Sequence, residues 1–194
     1  MTVEFRPEGA SILAFCGSTR AESLNAALLG LLVDEAAAQG ARVTALSLKD
    51  YPLPVYDGDI EARGEAPGAV AELRELIRSH DALLIACPEH NGSVTALLKN
   101  TLDWCSRPVD GAAPLEPFQG KPVLIAATSP SPFGGLRAIG HLRAILAKMG
   151  AAVLPLDLAV PQGAGAFDSA GFRDKGVAAL ASGAVAALIA EGGR

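Results

Sequence analysis

The hydrophobic positions of this chain alternate between two patterns. Short, nearly continuous apolar runs recur between longer segments in which apolar residues return every three or four positions. The short runs predict strands that are buried on both faces, and the longer segments predict amphipathic helices. The predicted strands cover residues 11–16, 42–48, 81–87, 121–129 and 151–158. The last strand is the weakest prediction because Pro155 lies within it.

The predicted helices alternate with these strands. They cover residues 24–39, 67–80, 94–105, 136–150 and about 170–191. Gly40 and Gly150 stand where a helix C-terminus favours glycine. The segment 50–68 is rich in proline and glycine, and this composition excludes a central strand there.

Five strands that alternate with five helices predict an α/β protein. We expect a flavodoxin-like three-layer sandwich, with a five-stranded parallel sheet in the order 2-1-3-4-5 and helices on both faces. The length of 194 residues and the lack of an internal repeat predict a single domain over residues 1–194. Ligands of this fold bind beyond the carboxyl ends of the strands, so the loops after strands 1, 3 and 4 should carry the functional residues.

The loop after the first strand reads "GSTRAESLN" (17–25) and favours an anion. Ser18, Ser23 and Asn25 are small polar residues beside a helix N-terminus, whose unpaired N–H groups and partial positive charge attract phosphate. Arg20 adds a permanently charged, forked donor. The alternative is that Ser23 only caps the helix and that Arg20 is solvated.

Other phosphate-binding loops do not match this segment. The patterns G-x-x-x-x-G-K-[ST] and G-x-G-x-x-G are both absent. A phosphatase loop needs five residues between its nucleophilic cysteine and its arginine, whereas three residues separate Cys16 from Arg20. Glu22 occupies the position of the phosphatase arginine, and its carboxylate would repel a phosphate. We therefore predict that Cys16 is only the buried end of the first strand.

The loop after the third strand, "CPEHNGS", suits the polar edge of a flat ring. Pro88 rigidifies the exit from the strand, and Asn91 and Gly92 form turns with exposed backbone groups. Glu89 and His90 could indicate acid–base chemistry, but no nucleophile or orienting third residue accompanies them. A plain surface turn is the alternative.

The loop after the fourth strand, "TSPSPFGGLRA", completes the set. Ser129, Gly134 and Gly135 allow the backbone to approach a ligand closely, and Phe133 offers an apolar surface. A flexible connection into the next helix is the alternative. Three such loops at one end of a sheet favour a ligand site more than any one of them does.

Several segments resemble the NADPH-dependent FMN reductase family, a flavodoxin-like group that includes quinone, chromate and azo-dye reductases. They are "GSTRAESLN", "LPVYDGDIEA", "CPEHNGSVTALLKNTLDWCSRP", "GKPVLIAATS" and "GGLRAIGHLRAIL". The resemblance covers about residues 10–155 and implies an FMN cofactor. The cofactor-binding residues that it implies are Ser18, Arg20, Ser23, Leu24 and Asn25 around the phosphate, Pro88, Glu89, His90, Asn91 and Gly92 beside the isoalloxazine ring, and Ser129, Phe133 and Gly134 at another ring edge.

The sequence departs from the family pattern at two places. His90 stands where the family usually has tyrosine, and Thr95-Ala96 stand where it usually has Pro-Gly. A histidine is smaller and can titrate, so ring stacking and flavin potential are expected to differ. The resemblance also assigns subunit contacts to the "LPVY" loop and to the region of Trp104, and so implies a homodimer or a homotetramer.

Composition and charge limit the classes of binding partner that we expect. Half of the residues are hydrophobic, and the net charge is −5 with no basic stripe, which disfavours nucleic acid. No apolar run approaches the ~20 residues of a membrane span, and the N-terminus lacks a signal-peptide core, so we expect a cytoplasmic protein without membrane contact. The three cysteines are scattered, and the three histidines form no metal-ligand cluster.

The sequence and the resemblance together predict an FMN-dependent NAD(P)H oxidoreductase. We expect hydride transfer from NADPH, or NADH, to FMN and then to a quinone or similar acceptor in a ping-pong cycle. No catalytic side chain is predicted, because the flavin carries the chemistry. Two alternatives remain open: a flavodoxin-like electron carrier or flavin-binding regulator without turnover, and a phosphate-binding module without flavin.

Overall fold

Five parallel strands form the centre of the molecule. The computed structural model describes residues 9–109 and 111–194. The strands are β1 (Ser11–Cys16), β2 (Arg42–Leu46), β3 (Ala82–Ala86), β4 (Pro122–Thr128) and β5 (Ala152–Val160). They are ordered β2-β1-β3-β4-β5, and all four neighbouring pairs are parallel. The predicted flavodoxin-like strand order is therefore confirmed.

Seven α-helices and a small hairpin complete the described part of the chain. The helices are α1 (Leu24–Ala38), α2 (Gly58–Ala62), α3 (Gly68–Ser79), α4 (Ala96–Cys105), α5 (Leu136–Lys148), α6 (Gly163–Ala166) and α7 (Lys175–Gly192). Two 3-10 turns cover Leu48–Asp50 and Glu116–Phe118. The hairpin pairs β6 (Phe167–Asp168) with β7 (Gly171–Phe172) in antiparallel orientation. The sequence pattern predicted five of these helices and missed α2, α6 and the hairpin.

The sheet separates two hydrophobic clusters. In β1, Ile12 and Ala14 face the cluster that includes residues of α1 and α7, while Leu13 and Phe15 face the cluster that includes residues of α3, α4 and α5. All four residues are at most 2% exposed. Because both faces of the strand are covered, both must be apolar, and this explains the continuous apolar run.

Pro155 lies within β5 at the edge of the sheet. The register with β4 shifts between the pairs Val123–Val153 and Ile125–Asp157, so Pro155 falls in a bulge. Proline has no N–H to donate to a neighbouring strand, and a bulge in an edge strand is where it is tolerated. The weak strand prediction at this position is thus confirmed and explained.

The last helix begins later than the sequence pattern predicted. The pattern placed its start near residue 170, whereas α7 begins at Lys175, after Asp174. The Asp174 carboxylate accepts hydrogen bonds from the N–H groups of Gly176 and Val177 and so caps the helix. Gly171, with φ of +123°, belongs to the hairpin.

Among the described residues, α7 is long and apolar enough to cross a membrane by length and composition. One face of the helix lies in the same hydrophobic cluster as Ile12 and Leu28. That buried face consists of Ala181, Ala184, Val185, Leu188 and Gly192. Through this face α7 covers one side of the sheet, and the rest of the helix is not buried.

Candidate functional site

The loops after β1 and β3 are joined by Thr95. Its hydroxyl donates to the Gly17 carbonyl oxygen over 2.7 Å and also accepts from the Leu98 N–H, which caps α4. A Cβ atom added to Gly17 would lie 3.0 Å from the Leu98 Cβ. Gly17 therefore lets the first loop pass close to the start of α4.

The loops after β1 and β4 are joined by Asn25, whose side chain is buried. The Asn25 Nδ2 donates to the Thr128 carbonyl over 2.8 Å, and the Thr128 N–H donates to Asn25 Oδ1 over 2.9 Å. Thr128 in turn donates its hydroxyl to the Val160 carbonyl at the end of β5. One N–H of the Asn25 amide remains for another acceptor. Its predicted contact with the phosphate stays a prediction.

The start of α1 has the features of an anion site. Ser23 is buried and caps the helix by accepting from the Ala26 N–H. The backbone N–H groups of Leu24 and Asn25 have no acceptor among the described residues. Ser18 is half-buried and Arg20 is exposed, so both can reach a ligand above the helix. Unpaired N–H groups at the positive end of a 15-residue helix fit a phosphate.

The Cys16 thiol lies beneath this loop and is buried. Burial raises the pKa of the Cys16 thiol above its ordinary value, while hydrogen bonds from the Ser18 N–H and the Ser23 side chain oppose this shift. The prediction that Cys16 is a buried strand end is confirmed. A thiol with a raised pKa is protonated at neutral pH and is a poor nucleophile.

The loop after β3 is a tight turn. His90 and Ser93 exchange two backbone hydrogen bonds of 3.0 Å, and Asn91 and Gly92 between them have φ of +52° and +75°. Positive φ at both central residues is typical of a type I′ turn, for which Asn-Gly is the preferred pair. Asn91 and Gly92 form the tip of the turn, and the buried Pro88 lies where the loop leaves β3.

The loops after β3 and β4 are joined by an ion pair. Arg137, in the first turn of α5, donates from Nε and Nη2 to Glu89 Oε1 over 2.9 and 2.5 Å. The Glu89 side chain is 10% exposed, and its Oε2 is buried without a hydrogen-bond partner. The Arg137 guanidinium also lies over the Phe133 ring, 5.0 Å from its centroid. Sequence reasoning did not single out Arg137, because nothing in the sequence pairs it with Glu89.

The loop after β4 is held to the end of β5. Gly134, with φ of +59°, brings its backbone so close to β5 that a Cβ atom would lie 2.8 Å from the Val160 carbonyl carbon. Ser129 accepts from the Gly163 N–H through its carbonyl, and its hydroxyl is 2.8 Å from that of Ser131. The small size of Gly134 is needed for this packing. Phe133 remains 56% exposed at the rim.

All the predicted site residues therefore lie at the carboxyl end of the sheet, either in the loops after β1, β3 and β4 or, for Leu24 and Asn25, in the first turn of α1. Asn25, Thr95 and the Glu89–Arg137 pair hold these loops together. The unpaired N–H groups at the start of α1 and the unpaired Glu89 oxygen are polar groups that a bound polar molecule would satisfy.

Comparison with known proteins agrees with this arrangement. Residues 10–165 match the NADPH-dependent FMN reductase family. The chain belongs to this family. FMN is the family's cofactor and NAD(P)H its cosubstrate, and the anion site at α1 fits the phosphate of FMN.

Curated relatives of this FMN reductase family member support the assignment. An NAD(P)H-dependent FMN reductase of Pseudomonas aeruginosa is 42% identical over 136 residues, which are 70% of this chain and 68% of that protein. A quinone reductase of Escherichia coli is 38% identical over 148 residues, which are 76% of this chain and 74% of that protein. The chain is thus an enzyme of the oxidoreductase class.

Solved structures show the same fold. FerB, a flavoenzyme NAD(P)H:(acceptor) oxidoreductase from Paracoccus denitrificans, has a TM-score of 0.80 at 28% identity and covers 95% of this chain and 97% of its own. The apo form of an NADH:FMN oxidoreductase has a TM-score of 0.71 at 24% identity over 93% of this chain and 89% of its own. The second likeness concerns the fold alone.

Proposed function

We propose that the chain is an NAD(P)H:quinone oxidoreductase that holds FMN at the carboxyl end of its sheet. When bound, FMN supplies the redox chemistry, taking hydride from NAD(P)H and passing electrons to a quinone in a ping-pong cycle. The observation that carries this proposal is the start of α1, where two backbone N–H groups have no acceptor among the described residues and the exposed Arg20 stands in the loop just before them. The relatives named quinone reductases support the choice of acceptor.

In this proposal the first loop binds the FMN phosphate. The N–H groups of Leu24 and Asn25 and the hydroxyl of Ser18 donate to phosphate oxygens, Arg20 supplies a charged donor, and Ser23 caps the helix that presents these N–H groups. These donors add to the positive end of the α1 dipole. In this proposal the charged donor and the helix N-terminus of the site are therefore used to bind the phosphate.

The second and third loops orient the ring. The tip of the type I′ turn presents the backbone groups of Asn91 and Gly92, and its two cross-turn hydrogen bonds keep them in place. Pro88, Glu89 and His90 form the rest of this border, and Ser129, Phe133 and Gly134 form the other edge. Because these groups are fixed before binding, little conformational entropy is lost when the ring enters.

A spectroscopic experiment tests this function and its alternatives. The purified protein should show flavin absorption that NADPH bleaches under anaerobic conditions and that a quinone restores. Continuous NADPH oxidation in the presence of excess quinone indicates an enzyme. Bleaching without turnover would indicate an electron carrier, and a colourless protein that does not take up added FMN would contradict flavin binding altogether.

We also propose that two copies associate through the loop that contains Val55. This side chain is 84% exposed, yet its neighbours are firmly held: the Pro54 carbonyl accepts from Trp104 Nε1 and from Asn100 Nδ2, both over 2.8 Å. The Tyr56 N–H donates to Asn100 Oδ1. The family resemblance assigns subunit contacts to this loop, and the exposed Val55 side chain is available to make one.

We further propose that the protein is cytoplasmic. Its three cysteines are free and buried. Proteins without disulfides are typical of reducing compartments. The net charge of −5 suits an acidic, freely diffusing protein.

A further inference from the structure

An open cavity lies between the start of α4 and the outer face of α5. Its volume is about 710 Å³, within the usual range for small-molecule sites. Val94, Ala144 and Ile145 give it an apolar floor, and His90 and His141 stand among its polar lining residues. We call it the α4–α5 cavity. It can hold the apolar body of a molecule that also carries a polar group.

The titratable groups that line the α4–α5 cavity are all basic side chains, beside the neutral polar residues Asn91 and Ser93. Its titratable lining residues within the described chain are His90, His141 and Lys99, and no carboxylate lines it there. Lys99 donates to both carboxylate oxygens of Asp103 over 2.8 Å, so its charge is largely compensated. The two imidazoles are then the groups left to meet a ligand.

His141 is held in place by the turn after β3. Its Nδ1 is 2.9 Å from the Ser93 hydroxyl, and Ser93 is fixed by its two backbone bonds to His90. When the Ser93 hydroxyl donates to Nδ1, the hydrogen of the ring lies on Nε2, which can then donate to a ligand. In this tautomer Nδ1 is occupied by Ser93 and Nε2 is the ring nitrogen that donates to the ligand.

The start of α4 also favours a negatively charged ligand group in this cavity. Ala96, the first residue of this ten-residue helix, lines the cavity. Thr95 satisfies only the Leu98 N–H by its side chain, so the positive end of the helix dipole remains directed at this region. Two imidazoles, a helix N-terminus and the lack of a lining carboxylate all favour a negative ligand group.

We propose that the α4–α5 cavity binds the carboxylate or sulfonate group of an anionic aromatic electron acceptor. His90 belongs both to this cavity and to the turn that borders the flavin ring in our proposed function, so the cavity adjoins the ring. An acceptor can place its anionic group beside His141 while its reducible ring reaches the flavin. The inference rests on the proposed function and specifies one acceptor class for it.

Kinetics with a matched pair of acceptors test this inference. The pair is a naphthoquinone that carries a carboxylate chain and the methyl ester of the same compound. His141→Leu should raise KM for the acid about tenfold, the effect of losing one hydrogen bond to a charged group, and should leave kcat and the KM of the ester unchanged. An equal change for acid and ester, or no change for either, would overturn the proposal.

Lys148→Gln is the control variant. Lys148 lies at the last residue of α5, outside the cavity lining, so its loss removes a positive charge from the same helix without touching the cavity. KM for the acid should stay at the parent value. A rise as large as that in His141→Leu would mean general electrostatic attraction and would also overturn the proposal.

Binding without turnover separates this inference from the proposed function. Naphthalene-2-sulfonate, titrated into the protein and followed by NMR, should shift the His141 and Ile145 resonances, whereas naphthalene-2-methanol should bind more weakly. The shifts should disappear in His141→Leu. If the protein lacks flavin but these shifts occur, the proposed function fails and the cavity stands. If naphthalene-2-sulfonate does not bind, the cavity proposal fails. It also fails if a second copy of the chain covers the cavity and so prevents binding.

Discussion

Arg20, in the loop after β1, and Asn25, in the first turn of α1, have opposite surroundings. The Arg20 side chain is exposed and makes no hydrogen bond or ion pair within the described residues, while Asn25 is buried and holds the Thr128 backbone. The first residue is therefore available to a ligand. The second has a structural role whether or not it also contacts a phosphate.

Replacing Arg20 by alanine should yield folded protein with little flavin. The loss of one charged donor weakens phosphate binding by about 1.5–3 kcal/mol, or roughly 10- to 100-fold in the FMN dissociation constant. Flavin absorption of the purified protein and titration of the apoprotein with FMN measure the effect. Arg173→Ala, at another exposed arginine, is the control. An Arg20→Ala protein with full flavin content would contradict the phosphate assignment.

Replacing Asn25 by alanine should destabilise the flavin-free protein. The change leaves the buried N–H and C=O groups of Thr128 without partners, at a cost of about 2–4 kcal/mol. Urea unfolding of the apoprotein measures this cost separately from any loss of phosphate binding. Ser18→Ala, at the half-buried serine of the preceding loop, should change the stability much less. Equal stability of the two variants would argue against the structural role of Asn25.

The thiols should resist modification in the native protein. Burial raises the pKa of Cys87 and of Cys105 to about 12, and it also raises that of Cys16. Because a raised pKa favours the protonated form, only about one Cys87 or Cys105 thiol in ten thousand is a thiolate at pH 8. A disulfide reagent should therefore react with no cysteine until denaturant exposes all three. Rapid reaction of the native protein would contradict this prediction.

At the scale of the elements, the start of α4 links the fold to the site. Thr95 stands where the family pattern usually has proline, and it both caps α4 and donates to the Gly17 carbonyl. A proline could make neither bond through its side chain. The helix start therefore also fixes the loop that leads to α1.

Replacing Thr95 by alanine should lower the stability by about 1–3 kcal/mol, because an N-cap and a buried hydrogen bond are both lost. Thr95→Ser keeps the hydroxyl and should retain most of the stability. Thermal unfolding of the two variants, compared with the parent protein, measures the difference. If serine and alanine were equally destabilising, the lost methyl group rather than the hydrogen bonds would be responsible.

At the scale of the whole molecule, one sheet with helices on both faces leaves a few large apolar side chains exposed. Among the described residues Val55 is the most exposed of these, and its loop is fixed by further contacts of its neighbour Tyr56. The Tyr56 ring packs edge-on against Trp104, and its hydroxyl donates to Glu61 over 2.5 Å. The loop of the proposed interface is thus held in place by contacts within the chain itself.

Val55→Glu should weaken self-association, because the charge would have to be buried in the interface. Light scattering coupled to size exclusion should show a dimer or tetramer for the parent protein and a lower mass for the variant. Leu180→Glu, at an exposed apolar residue of α7, is the control and should keep the parent mass. A monomeric parent protein would contradict the proposed interface.

Much of the fold could be predicted because a buried strand or helix face requires apolar residues at regular positions in the sequence. The runs at 11–16 and 121–129 are apolar at successive positions, as a strand covered on both faces requires. The hairpin of β6 and β7 was missed because strands of two residues have no periodicity. The start of α7 was predicted too early because the residues of β7, which also lack periodicity, were included in the helix.

The apolar runs and turn residues were enough to locate the five strands and the loops that carry the polar residues, and the expected fold class supplied the strand order. Only the tertiary structure decided how those loops are joined: Asn25 and Thr128 are 103 positions apart, and Glu89 and Arg137 are 48 apart. Periodicity reports which face of an element is buried, and turn residues report where the chain reverses. Hydrogen bonds between distant loops leave no such local pattern, because the partners meet only after the sheet has placed its strand ends side by side.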